Sequence, residues 1–137
     1  MLSDFIKRQP GKRLQPFQAI HLLHALATGM EDIHREKEYH GDLHPENIFI
    51  NRFGLGFELK LIDMYSWDKH FSKEQSIKDD IVDMIKIFHE SLGGAKHYAK
   101  HPPSVKSICC GLKKSLILKK FRTSSRLRQS LEHMTWE

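Results

Sequence analysis

From Phe17 onward the apolar positions Phe17, Ile20, Leu23, Ala27 and Met30, followed by His34, recur every three or four residues. That spacing lines one face of a helix. Pro16 suits a first helical turn, and Gln9-Pro10-Gly11-Lys12 before it reads as a turn, so the pattern predicts an amphipathic helix of about five turns. A second stretch, holding Ile81, Val82, Met84, Ile85, Ile87, Phe88 and Leu92, is apolar on nearly every face. Such a helix must be central. It is predicted to begin near Ser76 or Asp79 and to stop at Gly93-Gly94, where glycine supplies a left-handed cap. Beyond Pro102-Pro103-Ser104 a third helix is predicted through Val105, Ile108, Leu112, Leu116 and Ile117. A fourth runs through Leu127, Leu131 and Met134, with Thr123-Ser124 as its cap. Between the first two helices lie short extended candidates around Tyr39, at Asn47 to Ile50 and at Glu58 to Ile62. The last alternates Leu59 and Leu61 against Lys60, and Asn51 to Phe57 reads as a hairpin connection. The expected fold class is mainly α with a small β-hairpin element.

The chain has 137 residues, enough for one compact domain over 1–137 and too few for two. With 28% charged residues and a mean hydropathy of −0.50 the composition is globular rather than disordered. It contains no apolar run of membrane-spanning length. Met1-Leu2-Ser3-Asp4-Phe5-Ile6-Lys7-Arg8 carries charges where a signal peptide needs its apolar segment, and the expected location is cytoplasmic. Cys109 and Cys110 are adjacent, which suits neither a disulfide nor a cysteine zinc site; small core residues are the expected reading.

Charge is distributed unevenly. Residues 91–131 hold ten Lys/Arg and no Asp or Glu, whereas residues 1–90 hold twelve basic and fifteen acidic side chains, a local net of −3. A basic half of this kind could meet nucleic acid, an acidic partner or a lipid surface. Its cations are interleaved with Leu, Ile and Ser at helical spacing, so a solvated helix surface is the first reading and nucleic acid is not the expected partner.

The dense polar cluster is His40-Gly41-Asp42-Leu43-His44-Pro45-Glu46-Asn47, directly before the apolar run Ile48-Phe49-Ile50. A further carboxylate, Asp63, ends the run Leu59 to Ile62. If these runs form a hairpin, Asp42 and Asn47 lie at its entrance and Asp63 at its exit. Oxygen-only ligands suit Mg²⁺, and a remaining carboxylate can accept a hydroxyl proton. Read without any family, the same residues could be ordinary turn formers, and His40, Asp42 and His44 have a spacing feasible for a hydrolase metal.

The ordered set of residues resembles the protein-kinase superfamily. Its catalytic-loop pattern H-R-D-x-x-x-x-N is matched by His40, Asp42 and Asn47. In the variant HGDxHxxN the chain is similar to bacterial kinase-like proteins and to small-molecule phosphotransferases such as aminoglycoside and choline kinases. The helix ending at Ile33-His34 is similar to the family's helix E, and the segment from Asp80 to Glu90 resembles its buried helix F, which opens with an aspartate. The resemblance implies a protein-kinase-like C-lobe spanning the chain, using ATP and Mg²⁺. Asp42 would be the catalytic base, with His44 beside it touching the γ-phosphate as an imidazolium. Asn47 and Asp63 would hold the metal against the nucleotide, His40 would pack behind the loop, and Asp80 would receive the loop's backbone N–H groups.

The departures bear on activity. The sequence contains no G-x-G-x-x-G loop and no V-A-I-K lysine, so the N-lobe is expected to be absent or supplied by a complementing chain; Gly54-Leu55-Gly56 reads as a turn. Gly41 replaces the arginine through which activation-loop phosphorylation is read. Sixteen residues separate Asp63 from Asp80, too few for a full peptide-docking segment. The resemblance therefore implies an ATP-dependent phosphotransferase acting on a hydroxyl-bearing acceptor. A serine/threonine protein kinase is favoured on the helix-F likeness, and this chain alone is expected to be weak or inactive. The alternatives are a small-molecule phosphotransferase of the aminoglycoside or choline-kinase kind, and a non-catalytic kinase-like binding module.

Overall fold

The computed structural model describes residues 2–41, 43–52, 58–61, 73–94, 98 and 100–133. Helix α1 spans Leu2–Lys7, α2 Pro16–Arg35, strand β1 Ile48–Arg52, β2 Glu58–Leu61, α3 Lys73–Ser91, α4 Pro103–Cys109, α5 Lys114–Lys120 and α6 Ser124–Glu132. The fold is mainly helical with one small antiparallel ribbon, the class that the apolar pattern predicts.

Helix α2 begins with Pro16 at its first position and a reciprocal cap. Gln15 and Gln18 satisfy each other's backbone N–H groups, which would otherwise be orphaned at a helix start. Its apolar stripe, Ala19, Ile20, Leu22, Leu23, Leu26, Ala27 and Met30, is buried against α3 and α6. Helix α3 runs through the middle. Ile81, Met84, Ile85 and Phe88 are fully buried, and the helix touches α2, α4 and α5. It closes with Gly93 N–H donating to the Glu90 carbonyl and Gly94 N–H to that of His89, both glycines at positive φ.

Several boundaries differ from the sequence reading, each for a local reason. The opening segment forms α1, which buries Leu2 and Ile6 and packs on β1 and on the 3₁₀ turn Pro45–Asn47; two buried residues in six positions are too few to show a period. Tyr39 belongs to no strand among the described residues, and Asn47 is taken into the 3₁₀ turn, so β1 starts at Ile48. Helix α3 starts at Lys73, which places Ser76 and Asp79 inside it. The third predicted helix is broken into α4 and α5, because Cys110, Gly111 and Leu112 all take positive φ (51°, 64° and 58°). Glycine in the centre of that run makes the reversal affordable, and Lys113 restarts the helix. The fourth helix starts at the predicted cap, with the Thr123 hydroxyl accepting the Arg126 N–H at 3.0 Å, and ends at Glu132, short of the predicted Met134. The hairpin connection at 53–57, Asp42, Asp63 and Met134 lie outside the described residues. Cys109 is buried and Cys110 half-buried; burial pushes the Cys109 thiol up to about 12, leaving it inert. Among the described residues no helix is long and apolar enough to cross a membrane.

Charged groups also join α6 to α2. The Arg128 guanidinium donates to Glu31 on α2 and, at 3.0 Å, to both carboxylate oxygens of Glu132, while Glu132 meets His24 Nε2 at 2.9 Å. The bond from Arg128 draws the Glu31 carboxyl below the ordinary glutamate range, and bonds from His24 and then Arg128 do the same for Glu132. A carboxyl depressed in the folded state stabilises it above the ordinary range and ceases to as the pH falls through the depressed value. Hydrogen exchange should therefore show α6 amides losing protection on acidification below the ordinary glutamate range, while α3 amides hold. Arg128→Ala should remove most of that difference.

Candidate active site

The site is assembled around the C-terminal end of α2, the loop that follows it, and the second turn of α3. Helix α2 ends with Lys37 at φ 57° and its N–H on the His34 carbonyl, which turns the chain back toward α3. His40 is then fully buried, and Gly41 takes φ 89°, a backbone conformation that side chains disfavour. The glycine that stands where protein kinases have arginine thus has a conformational reason to be there.

Asp80 lies roughly two turns inside α3 and is fully buried, so the field at a helix N-terminus does not explain it. Its Oδ2 accepts the His40 N–H at 2.7 Å, and its Oδ1 accepts the Gly41 N–H at 2.9 Å. Oδ2 also meets His34 Nε2 at 3.0 Å, and His34 Nδ1 meets the Ser124 hydroxyl at 2.7 Å. In every assignment that fits these contacts, Nε2 donates to Asp80 and Nδ1 is joined to the Ser124 hydroxyl. Both residues flanking the first peptide of the H-G-D motif are thereby fixed to one carboxylate. Sequence reasoning placed His34 on a helix face and Ser124 in a cap and missed the chain that joins them. A polar residue closing an apolar stripe, at His34, was the available signal; nothing local marked Ser124.

Beyond Asp42, Leu43 is buried and His44 caps the Pro45–Asn47 turn, its Nδ1 accepting the Glu46 N–H at 3.2 Å. While that bond stands, the ring proton belongs on Nε2. Asn47 is 5% exposed, and the next residue, Ile48, pairs with Leu61 in the ribbon. The register thus sets Asn47 beside the end of β2 from which the chain continues, two residues later, to Asp63. Asp42 and Asp63 themselves lie outside the described residues, and among the described residues no cluster of three His, Cys, Asp or Glu could hold a metal. A cleft of about 240 Å³ opens next to the His34–Ser124 contact, between the last turns of α2 and the starts of α3 and α6.

A buried aspartate gripping the backbone of an H-G-D loop, ahead of a ribbon with a buried asparagine at its mouth, is a kinase-like arrangement. The profile of the lipopolysaccharide kinase (Kdo/WaaP) family matches residues 4–100, and the chain belongs to that family. The match makes the protein a kinase-like phosphotransferase in kind. No curated protein and no solved structure matches the sequence.

His34→Ala removes one donor from a buried carboxylate and should lower the unfolding free energy by about 2–3 kcal/mol, against about 1 kcal/mol for Ser124→Ala. Because the two side chains form one hydrogen-bonded chain, urea denaturation of the double variant should show less than the sum.

Proposed function

We propose that residues 1–137 form the C-lobe of a kinase that transfers the γ-phosphate of ATP to a hydroxyl of a lipopolysaccharide sugar. The observation that carries the reading is the paired acceptance of the His40 and Gly41 N–H groups by Asp80, which presets the backbone immediately before Asp42. In this reading Asp42 orients the acceptor hydroxyl and takes its proton. His44, whose Nδ1 accepts the Glu46 N–H, hydrogen-bonds the transferring phosphate through Nε2. His40 packs behind the loop.

Asn47 and Asp63 are the residues that would hold Mg²⁺. The donor set fits: a carboxamide and a carboxylate are hard oxygen ligands, and Mg²⁺ is commonly held by few protein oxygens together with substrate phosphates. When bound, the ion neutralises charge on the nucleotide phosphates. The burial of Asn47 at the mouth of the ribbon, one residue before the Ile48–Leu61 pair, supports this pairing with Asp63.

The acceptor is proposed on the family match and agrees with the short span between Asp63 and Asp80, which leaves little chain for docking a peptide. These 137 residues contain no G-x-G-x-x-G loop and no V-A-I-K lysine, groups that supply much of the electrostatic stabilisation in phosphoryl transfer. We therefore expect weak turnover or none from the chain by itself, and a gain when an N-lobe is supplied in trans.

The test is transfer of labelled γ-phosphate to dephosphorylated lipopolysaccharide and, in parallel, to serine- and threonine-containing peptides. Label should enter the glycolipid. Asp42→Ala should lower kcat by about a hundredfold or more with nucleotide affinity retained, whereas Asp63→Ala and Asn47→Ala should raise the KM for Mg-ATP. Labelled peptide with unlabelled glycolipid would transfer the reading to a serine/threonine protein kinase. Mg-ATP binding indifferent to all three substitutions would favour a binding module instead.

A further inference from the structure

We propose that the exposed side of α5, with the cationic segments at its two ends, docks on an anionic lipid bilayer. The idea extends the reading of the acceptor as a lipopolysaccharide sugar. Its support, however, comes from a different part of the molecule.

Helix α5 buries Ile117, and Phe121 directly after it is buried as well. By helical spacing Leu116 and Lys119 share the other side, and there Leu116 is 47% exposed. A large leucine set among lysines on an open helix face contributes little to this core. It does match the boundary of a bilayer, where an aliphatic side chain enters the acyl region and ammonium groups stay with the headgroup phosphates. Lys113, Lys119, Arg122 and Arg126 are exposed, and among the described residues no carboxylate pairs with them. The surrounding sequence offers none, since residues 91–131 contain no Asp or Glu.

The position of this face links it to the site. At one end of α5, Lys114 Nζ bonds Asp79 Oδ1 at 2.7 Å, and the neighbouring Asp80 braces the loop. At the other end, Arg122 comes just before Thr123 and Ser124, and the Ser124 hydroxyl meets His34. Lys120 is bonded to Ser107 of α4, which fixes the orientation of the helix. A membrane meeting Leu116 and its lysines would therefore hold a helix whose two ends are tied to the residues next to Asp80 and His34. Nucleic acid would engage the same cations but has no use for the exposed leucine, and Phe121, the aromatic ring of this stretch, is buried and unable to stack on bases.

Co-sedimentation of the chain with vesicles tests this without nucleotide or acceptor. The chain should bind phosphatidylglycerol-rich vesicles, bind pure phosphatidylcholine vesicles much less, and release as salt is raised. The triple variant Lys113→Gln, Lys119→Gln, Arg122→Gln should lose about a hundredfold in partitioning, and Leu116→Ser should lose severalfold at unchanged salt dependence. Circular dichroism checks that both variants fold. Equal binding to the two vesicle types, full binding by the triple variant, or binding of duplex DNA without vesicle binding would each overturn the proposal. The two readings fail separately. A wrong acceptor leaves vesicle binding in place, and a wrong docking face leaves transfer to a deacylated, water-soluble acceptor unchanged in the triple variant.

Discussion

Burying a carboxylate inside a helix is expensive unless hydrogen-bond donors meet it there. Asp80 is fully enclosed and finds them in the backbone of His40 and Gly41 and in the ring of His34. None of these donors belongs to α3. The central helix and the loop after α2 are therefore each incomplete without the other, and the loop's path through His40 and Gly41 follows from satisfying that one side chain. Gly41 fits the same requirement, since its φ of 89° lets its N–H turn to Oδ1 while that of His40 meets Oδ2.

The rest of the helical body supports this contact. Helix α6 lies along α2, tied by Arg128 to Glu31, and its first residue, Ser124, completes the chain through His34 to Asp80. On the far side of the loop, α1 packs on β1 and on the Pro45–Asn47 turn, so Asn47 is enclosed at the mouth of the ribbon. Elements distant in sequence thus converge on a stretch of about a dozen residues, which suits the fixed geometry that phosphoryl transfer demands.

Much of this was legible beforehand because the informative signals were periodic or local. The stripe from Phe17 to Met30 marked α2, the all-round apolar faces of residues 81–88 marked α3 as central, and Thr123 marked the start of α6. The H-G-D spacing with Asn47 pointed to kinase chemistry, and the family match over residues 4–100 agrees with it at the level of phosphotransferase. What escaped was non-periodic or long-range. The three successive positive φ values at Cys110, Gly111 and Leu112 interrupt a helix whose apolar spacing continues straight through. The partnership of His34 with Ser124 spans ninety residues, and no window along the chain can show it. The early start of α3 at Lys73 is likewise hidden, since its first turn carries no apolar period.

In this account a single buried carboxylate sets the geometry of the loop at His40 and Gly41, and the chemistry proposed for Asp42 depends on it. The most direct measurement is amide hydrogen exchange in a folded Asp80→Asn variant, where the amide nitrogen of the new side chain cannot accept a backbone N–H. Whichever of the His40 and Gly41 amides faces the new nitrogen should exchange at least tenfold faster than in the parent chain, in step with the loss of a hydrogen bond to a charged group, while the other keeps the remaining oxygen and amides in the middle of α2 hold their protection. Unchanged protection at both amides in a variant that keeps its fold would contradict the claim that Asp80 holds the loop.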